Sequence, residues 1–105
     1  MCGICGQLRF DEENVSSKSL NTMMSRLARR GPDASGSWID GKIGFGHQRL
    51  SIIDLSNHGA QPMLDDVLNL TLVFNGTIYN YKKLRLQLAK KGYSFFSHSD
   101  TEVIL

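Results

Sequence analysis

The apolar positions of this chain come in short runs separated by polar or glycine-rich breaks, and the period within each run predicts its conformation. Cys2 to Phe10 (CGICGQLRF) is apolar and loosely alternating, as a strand is, with Gly3 and Gly6 permitting close backbone approach. Asp11 to Asn14 reads as a polar turn. From Ser17 onward, Leu20, Met23, Met24 and Leu27 recur at helical spacing, a serine is available as N-cap, and Arg29, Arg30, Gly31 and Pro32 supply a basic last turn and a stop. Trp38-Ile39, then Asp40-Gly41, then Ile43 to Leu50 predict a hairpin, because Asp-Gly offers the positive φ of a tight reverse turn.

Ser51 to Gln61 is mixed, and Ser56-Asn57-His58-Gly59 within it reads as loop. Leu68 to Phe74 (LNLTLVF) predicts a buried strand running into Asn75-Gly76. A second helix from about Asn80 to Lys91 carries Tyr81, Leu84 and Leu88 on one face, and Gly92 closes it. Tyr93 to Phe96 reads as a short strand. Asp100 is placed as an N-cap for a helix beginning Thr101-Glu102-Val103-Ile104-Leu105. A single turn does not support itself, so a partner holds it or the chain is a fragment. The class is α+β, with no repeat or linker.

Length and charge narrow the function. A chain of 105 residues makes one domain, and a net charge of +2 spread along the sequence points to neither nucleic acid nor a membrane surface. No apolar run approaches the roughly 18 residues of a membrane span, and no secretory signal opens the chain. The expectation is a cytoplasmic protein. Two cysteines three positions apart make a poor stabilising crosslink, which suits a reducing compartment.

Cys2 is the residue with the most chemistry. Removal of Met1 would leave a thiol and a free α-amine on one residue, and the amine titrates well below lysine, so it can serve as the thiol's own base. With Met1 in place the amine is blocked. The competing reading takes Cys2 and Cys5 as a CxxC redox or metal pair, but only His47, His58 and His98 remain as further ligands, at no recognisable spacing. No metal and no cofactor are expected, and nothing resembles a phosphate-cradling loop. Arg49 alone would be a solvated strand-end arginine, Asn75-Gly76 alone a turn, and Asp100 alone a helix cap.

Five pieces change those odds: Met1-Cys2-Gly3-Ile4-Cys5-Gly6, Arg30-Gly31-Pro32-Asp33, Gly46 to Asp54 (GHQRLSIID), Phe74 to Asn80 (FNGTIYN), and Ser99 to Leu105 (SDTEVIL). In this order the chain resembles the N-terminal glutaminase domain of class II glutamine amidotransferases, in the branch of the glutamine-hydrolysing asparagine synthetases. The resemblance implies part of a four-layer αββα sandwich of the N-terminal nucleophile type, of which residues 1–105 would be about the first half, with the synthetase domain absent. It implies glutamine as substrate and Cys2 as the nucleophile that forms a γ-glutamyl thioester. It assigns Asn75 and Gly76 to the oxyanion hole, Arg49 to the substrate α-carboxylate and Asp100 to the α-ammonium. Arg30 to Asp33 would be a structural loop beside the site. Thr77 departs from the branch, which usually has Glu there.

Two functions follow as expectations: a glutaminase module supplying ammonia, or a shortened, inactive homologue that survives as an oligomeric or partner-binding protein. Half a sandwich would leave an apolar sheet face wet, so self-association to at least a dimer, or a complementary domain elsewhere, is expected.

Overall fold

The computed structural model describes all of residues 1–105. Its elements in chain order are β1 (Gly3–Leu8), α1 (Ser17–Leu27), β2 (Ala34–Asp40), β3 (Ile43–Arg49), β4 (Met63–Asp65), β5 (Leu70–Leu72) and α2 (Tyr81–Lys90), with single 3-10 turns at Asn57–Gly59 and Thr101–Ile104. This is an α+β arrangement of two helices and two small antiparallel sheets.

The larger sheet has the order β1-β3-β2, and its register runs from Gly3 opposite Gln48 to Leu8 opposite Ile43 on one side and from Ala34 opposite Arg49 to Asp40 opposite Ile43 on the other. The β2–β3 hairpin therefore closes on Gly41 and Lys42, and Gly41 supplies the positive φ, 55°. That is one residue beyond the Asp40-Gly41 pair, and β2 begins well before Trp38.

Helix α1 lies on one face of this sheet. Ser16 is its N-cap, accepting the Ser19 N–H at 3.4 Å, and Leu20 and Met24 are its buried positions. Burying Leu20 completely contributes roughly 1.5–3 kcal/mol. The helix can approach because β3 presents glycines to it: a Cβ on Gly46 would sit 2.6 Å from Met24 Cγ, and one on Gly44 would sit 2.8 Å from Val15 Cγ1. Gln48, also on this face, donates to the Met24 carbonyl at 3.3 Å.

Alternation puts Ile43, Phe45, His47 and Arg49 of β3 on the opposite face, beside Ile4 and Leu8 of β1 and Trp38 of β2. Trp38 stacks on Phe45 with ring centroids 5.8 Å apart. At the Arg49 end this face is covered by the segments that carry the cavity described below. At the other end Leu8 and Ile43 remain exposed, as does Ile4 on the edge strand opposite His47.

Three expectations are corrected. Leu68 to Phe74 holds only the three-residue β5, paired with β4 from Met63 opposite Leu72 to Asp65 opposite Leu70, and Leu68 and Leu70 are exposed rather than buried. A two-stranded ribbon covers little apolar surface. Tyr93 to Phe96 is not a strand. The Tyr93 N–H bonds to the Leu88 carbonyl at 3.1 Å and the Phe96 N–H to the Glu102 carboxylate at 2.8 Å; just beyond, Glu102 also accepts the Ser97 N–H at 2.8 Å, and Arg85 donates to the Ser97 carbonyl at 2.7 Å while its guanidinium lies 4.1 Å from the Phe95 ring centroid. Asp100 does not cap the C-terminal turn, which is 3-10 rather than α-helical; its side chain makes no capping bond. The second helix forms as expected, with Tyr81, Leu84 and Leu88 half-buried on one face.

Candidate active site

β1 and β3 determine where the first site residue lies. Continuing their register one step places Cys2 beside Arg49, on the face away from α1. The Cys2 sulfur accepts the Leu50 N–H at 3.3 Å and lies 3.5 Å from the Leu50 carbonyl oxygen, and the Cys2 carbonyl accepts from Arg30 Nε at 3.3 Å. Asp33 accepts the Ser51 N–H at 2.7 Å. The Arg30 to Asp33 loop thus ties down the chain just outside the ends of β1 and β3.

Cys5 sits on the other face of β1, against Met24 and Gly46. Three positions along an extended strand point two side chains in opposite directions, so Cys2 and Cys5 cannot act as a CxxC pair. Both are free thiols, and burial pushes the Cys5 thiol up, outweighing the Gly46 backbone hydrogen bond that lowers it. Nowhere do three or more His, Cys, Asp or Glu side chains gather as a metal would require.

Arg49 is buried and held rigidly. Its guanidinium donates to the Ser56 carbonyl at 2.7 Å and to the Asp54 carbonyl. The Asp54 carboxylate shapes the same loop, accepting the Ser56 N–H at 2.8 Å and the His98 N–H at 2.9 Å. Burial acts to raise the Asp54 pKa, but the Ser56 hydroxyl, these N–H groups and the Arg49 charge together hold it below the usual range. A fork with two N–H groups bound to main chain retains three for a ligand.

Asn75 and Gly76 follow β5 in an irregular segment. Gly76 has no positive φ, so this is not the tight Asn-Gly turn that the dipeptide suggests. A Cβ there would stand 2.6 Å from the tip of the Phe74 ring, so any other residue would displace that ring. Asp100 is buried, and its Oδ2 accepts the Ile78 N–H at 2.8 Å, which joins the C-terminal segment to the one carrying Asn75.

Cys2, Arg49, Asn75, Gly76 and Asp100 all line one cavity of about 210 Å³. Drug-sized ligands occupy roughly 300–1,000 Å³, so this space suits a smaller molecule. Thr77 lines it too, placing a hydroxyl rather than a carboxylate there. Asp54 and Gln61, two further wall residues, were not picked out individually from sequence, and His47, also in the wall, was weighed there only as a metal ligand. His47 is 1 % exposed with neither ring nitrogen hydrogen-bonded, and burial, opposed by the nearby Phe74 backbone and assisted by the Arg49 charge, lowers its pKa. The signal for His47 was its place two residues from Arg49 on one strand face; nothing local marks Gln61.

The α+β frame thus brings a thiol, a guanidinium, a carboxylate and an amide to the wall of one small cavity. Residues 1–105 match the glutamine amidotransferase domain family, and the chain belongs to that family. It is 43 % identical to asparagine synthetase [glutamine-hydrolyzing] 1 of Bacillus subtilis, with all of this chain and 17 % of that protein aligned. It is 40 % identical to asparagine synthetase B [glutamine-hydrolyzing] of Escherichia coli, over all of this chain and 19 % of the relative, and 38 % identical to Amidase chry2 of Gibberella zeae, over all of it and 17 %. The chain thus spans under one fifth of the length of these relatives. No helix is long and apolar enough to cross a membrane.

Proposed function

We propose that this domain hydrolyses the side-chain amide of glutamine to glutamate and ammonia through Cys2. The observation that carries the reading is the convergence of Cys2, Arg49, Asn75, Gly76 and Asp100 on one amino-acid-sized cavity. Once Met1 is removed, the Cys2 α-amine takes the thiol proton and the sulfur attacks the amide carbon. The oxyanion accepts hydrogen bonds from the Asn75 side-chain amide and the Gly76 N–H. As the C–N bond breaks, the α-ammonium gives its proton to the departing nitrogen, and a γ-glutamyl thioester remains. Water, deprotonated by the same amine, then cleaves the thioester and returns the proton to sulfur. Arg49 binds the α-carboxylate and Asp100 the α-ammonium, which selects a free amino acid over other amides. The ammonia acceptor belongs to chemistry outside these residues.

The test incubates the chain, freed of Met1 and verified by mass spectrometry, with glutamine and measures glutamate and ammonia against Cys2→Ala. Cys2-dependent release of both in equal amounts is expected. A folded protein with a free Cys2 terminus that releases neither, and whose Cys2 resists a glutamine-mimicking electrophile, refutes the reading.

A second reading rests on the exposed apolar side chains along β1 on this face of the large sheet, Ile4 and Leu8, which are 44 % and 53 % exposed. A second layer of the αββα kind would bury this face, and self-association is the simplest way to supply it. On this reading the chain is an oligomeric or partner-binding homologue without activity. A monomer by light scattering at micromolar concentration excludes the self-associated form.

A further inference from the structure

Gln61 takes no part in the reaction above, yet its side chain is bonded at both ends to the segments that carry the proposed substrate contacts. Its Oε1 accepts the Phe74 N–H at 2.6 Å, and its Nε2 donates to the Thr101 hydroxyl at 3.4 Å. Phe74 directly precedes Asn75 and Gly76, and Thr101 directly follows Asp100. The bond from the Ile78 N–H to Asp100 Oδ2, at 2.8 Å, closes a ring that runs from Gln61 through residues 74–78 to Asp100, Thr101 and back. Gln61 itself is anchored, because its main-chain carbonyl lies against Gly36 of β2 where no Cβ would fit. One side chain thus spans the two walls of the cavity.

We propose that Gln61 is a positioning residue that sets the separation between the amide-holding end, Asn75 and Gly76, and the ammonium-holding end, Asp100, and so makes the site read the length of its substrate. This rests on the glutaminase reading. The two ends grip opposite ends of one molecule, so the gap between them admits an amino acid with its amide on the γ-carbon chain of glutamine and disfavours the shorter asparagine. A single methylene is ordinarily discriminated by about 10- to 200-fold. Little regular structure holds that gap otherwise: residues 73–78 and 93–100 form neither helix nor strand, Thr101 opens only a single 3-10 turn, and the Ile78–Asp100 bond is the other direct tie between the two segments.

The test compares Gln61→Met, which removes both bonds at similar volume, with Thr101→Val, which removes only the Thr101 end, in the full chain freed of Met1. Amide hydrogen exchange by NMR needs no turnover. The Phe74 amide is expected to exchange about tenfold faster in Gln61→Met, with little change in Thr101→Val and none in the α1 amides. The ratio of kcat/KM for glutamine over asparagine is expected to fall about tenfold in Gln61→Met and less in Thr101→Val. An unchanged Phe74 exchange rate, or a ratio preserved within about twofold while only the melting temperature moves, overturns the proposal. If the unsubstituted chain hydrolyses no glutamine, the glutaminase reading fails, and exchange alone then decides whether Gln61 clamps the two segments. Should Gln61→Met not fold, Gln61→Leu, which likewise removes both bonds, takes its place: a Phe74 amide that exchanges about tenfold faster supports the clamp, and an unchanged rate refutes it.

Discussion

Replacing Glu102 by glutamine tests how the segment that carries Asp100 is held. Glu102 is 1 % exposed, and its carboxylate accepts the Phe96 and Ser97 N–H groups, each at 2.8 Å, and the Ser97 hydroxyl. A carboxamide has one acceptor oxygen, so one of the two N–H groups must face an NH₂ group. A hydrogen bond to a charged group contributes about 1.5–3 kcal/mol net, so the amide costs about 2 kcal/mol. Glu102→Ala leaves both N–H groups without a partner and costs about 4 kcal/mol, a large share of the roughly 5–15 kcal/mol that stabilises a typical domain. Thermal unfolding followed by far-UV circular dichroism reads the effect directly: at about 4–8 °C per kcal/mol, Glu102→Gln lowers the midpoint by roughly 8–16 °C. A fall of less than about 2 °C refutes the claim that side chains, rather than strand pairing, hold residues 96–99.

Asp100→Asn keeps an acceptor for Ile78 and removes the charge; under the proposed function it raises KM for glutamine by about 30-fold or more with little loss of thermal stability, whereas Asp100→Ala loses both, as kinetics and unfolding measured side by side will register. Gly46→Ala pushes a methyl into Met24 and Cys5 and destabilises by about 1–3 kcal/mol, seen as a lower urea midpoint at unchanged slope. Asp54 has a depressed folded-state pKa, so its stabilising contribution is complete well above pH 3.8 and is lost as pH falls through the folded value; urea titrations of Asp54→Asn show a flatter acid limb than the parent, and parallel limbs refute the assignment.

Both helices, the hairpin and the first strand were legible because each follows from neighbours in sequence: apolar spacing, a serine cap at Ser16, and Gly41 at the turn. Cys2 was legible from its own chemistry next to the terminal amine, whereas Arg49, Asn75, Gly76 and Asp100 were legible as candidates only through the resemblance of the motifs that carry them, since each alone reads as ordinary surface or turn. Tyr93 to Phe96 misled because aromatic alternation is a strand signal only when a partner strand satisfies its backbone, and here the Tyr93 N–H turns back to the Leu88 carbonyl and the Phe96 N–H goes to Glu102.

What the amino-acid order alone determined is local: which segments coil or extend, and which residue types are available for acyl transfer. Tertiary structure decided everything that depends on two distant segments meeting. It put Cys2 beside Arg49 through β-sheet register, turned Asp100 from a cap into an acceptor for Ile78, set Cys5 on the far face, and spanned the cavity with Gln61. A hydrogen bond across tens of residues leaves no periodicity in either partner's neighbourhood, so only the folded chain reveals it.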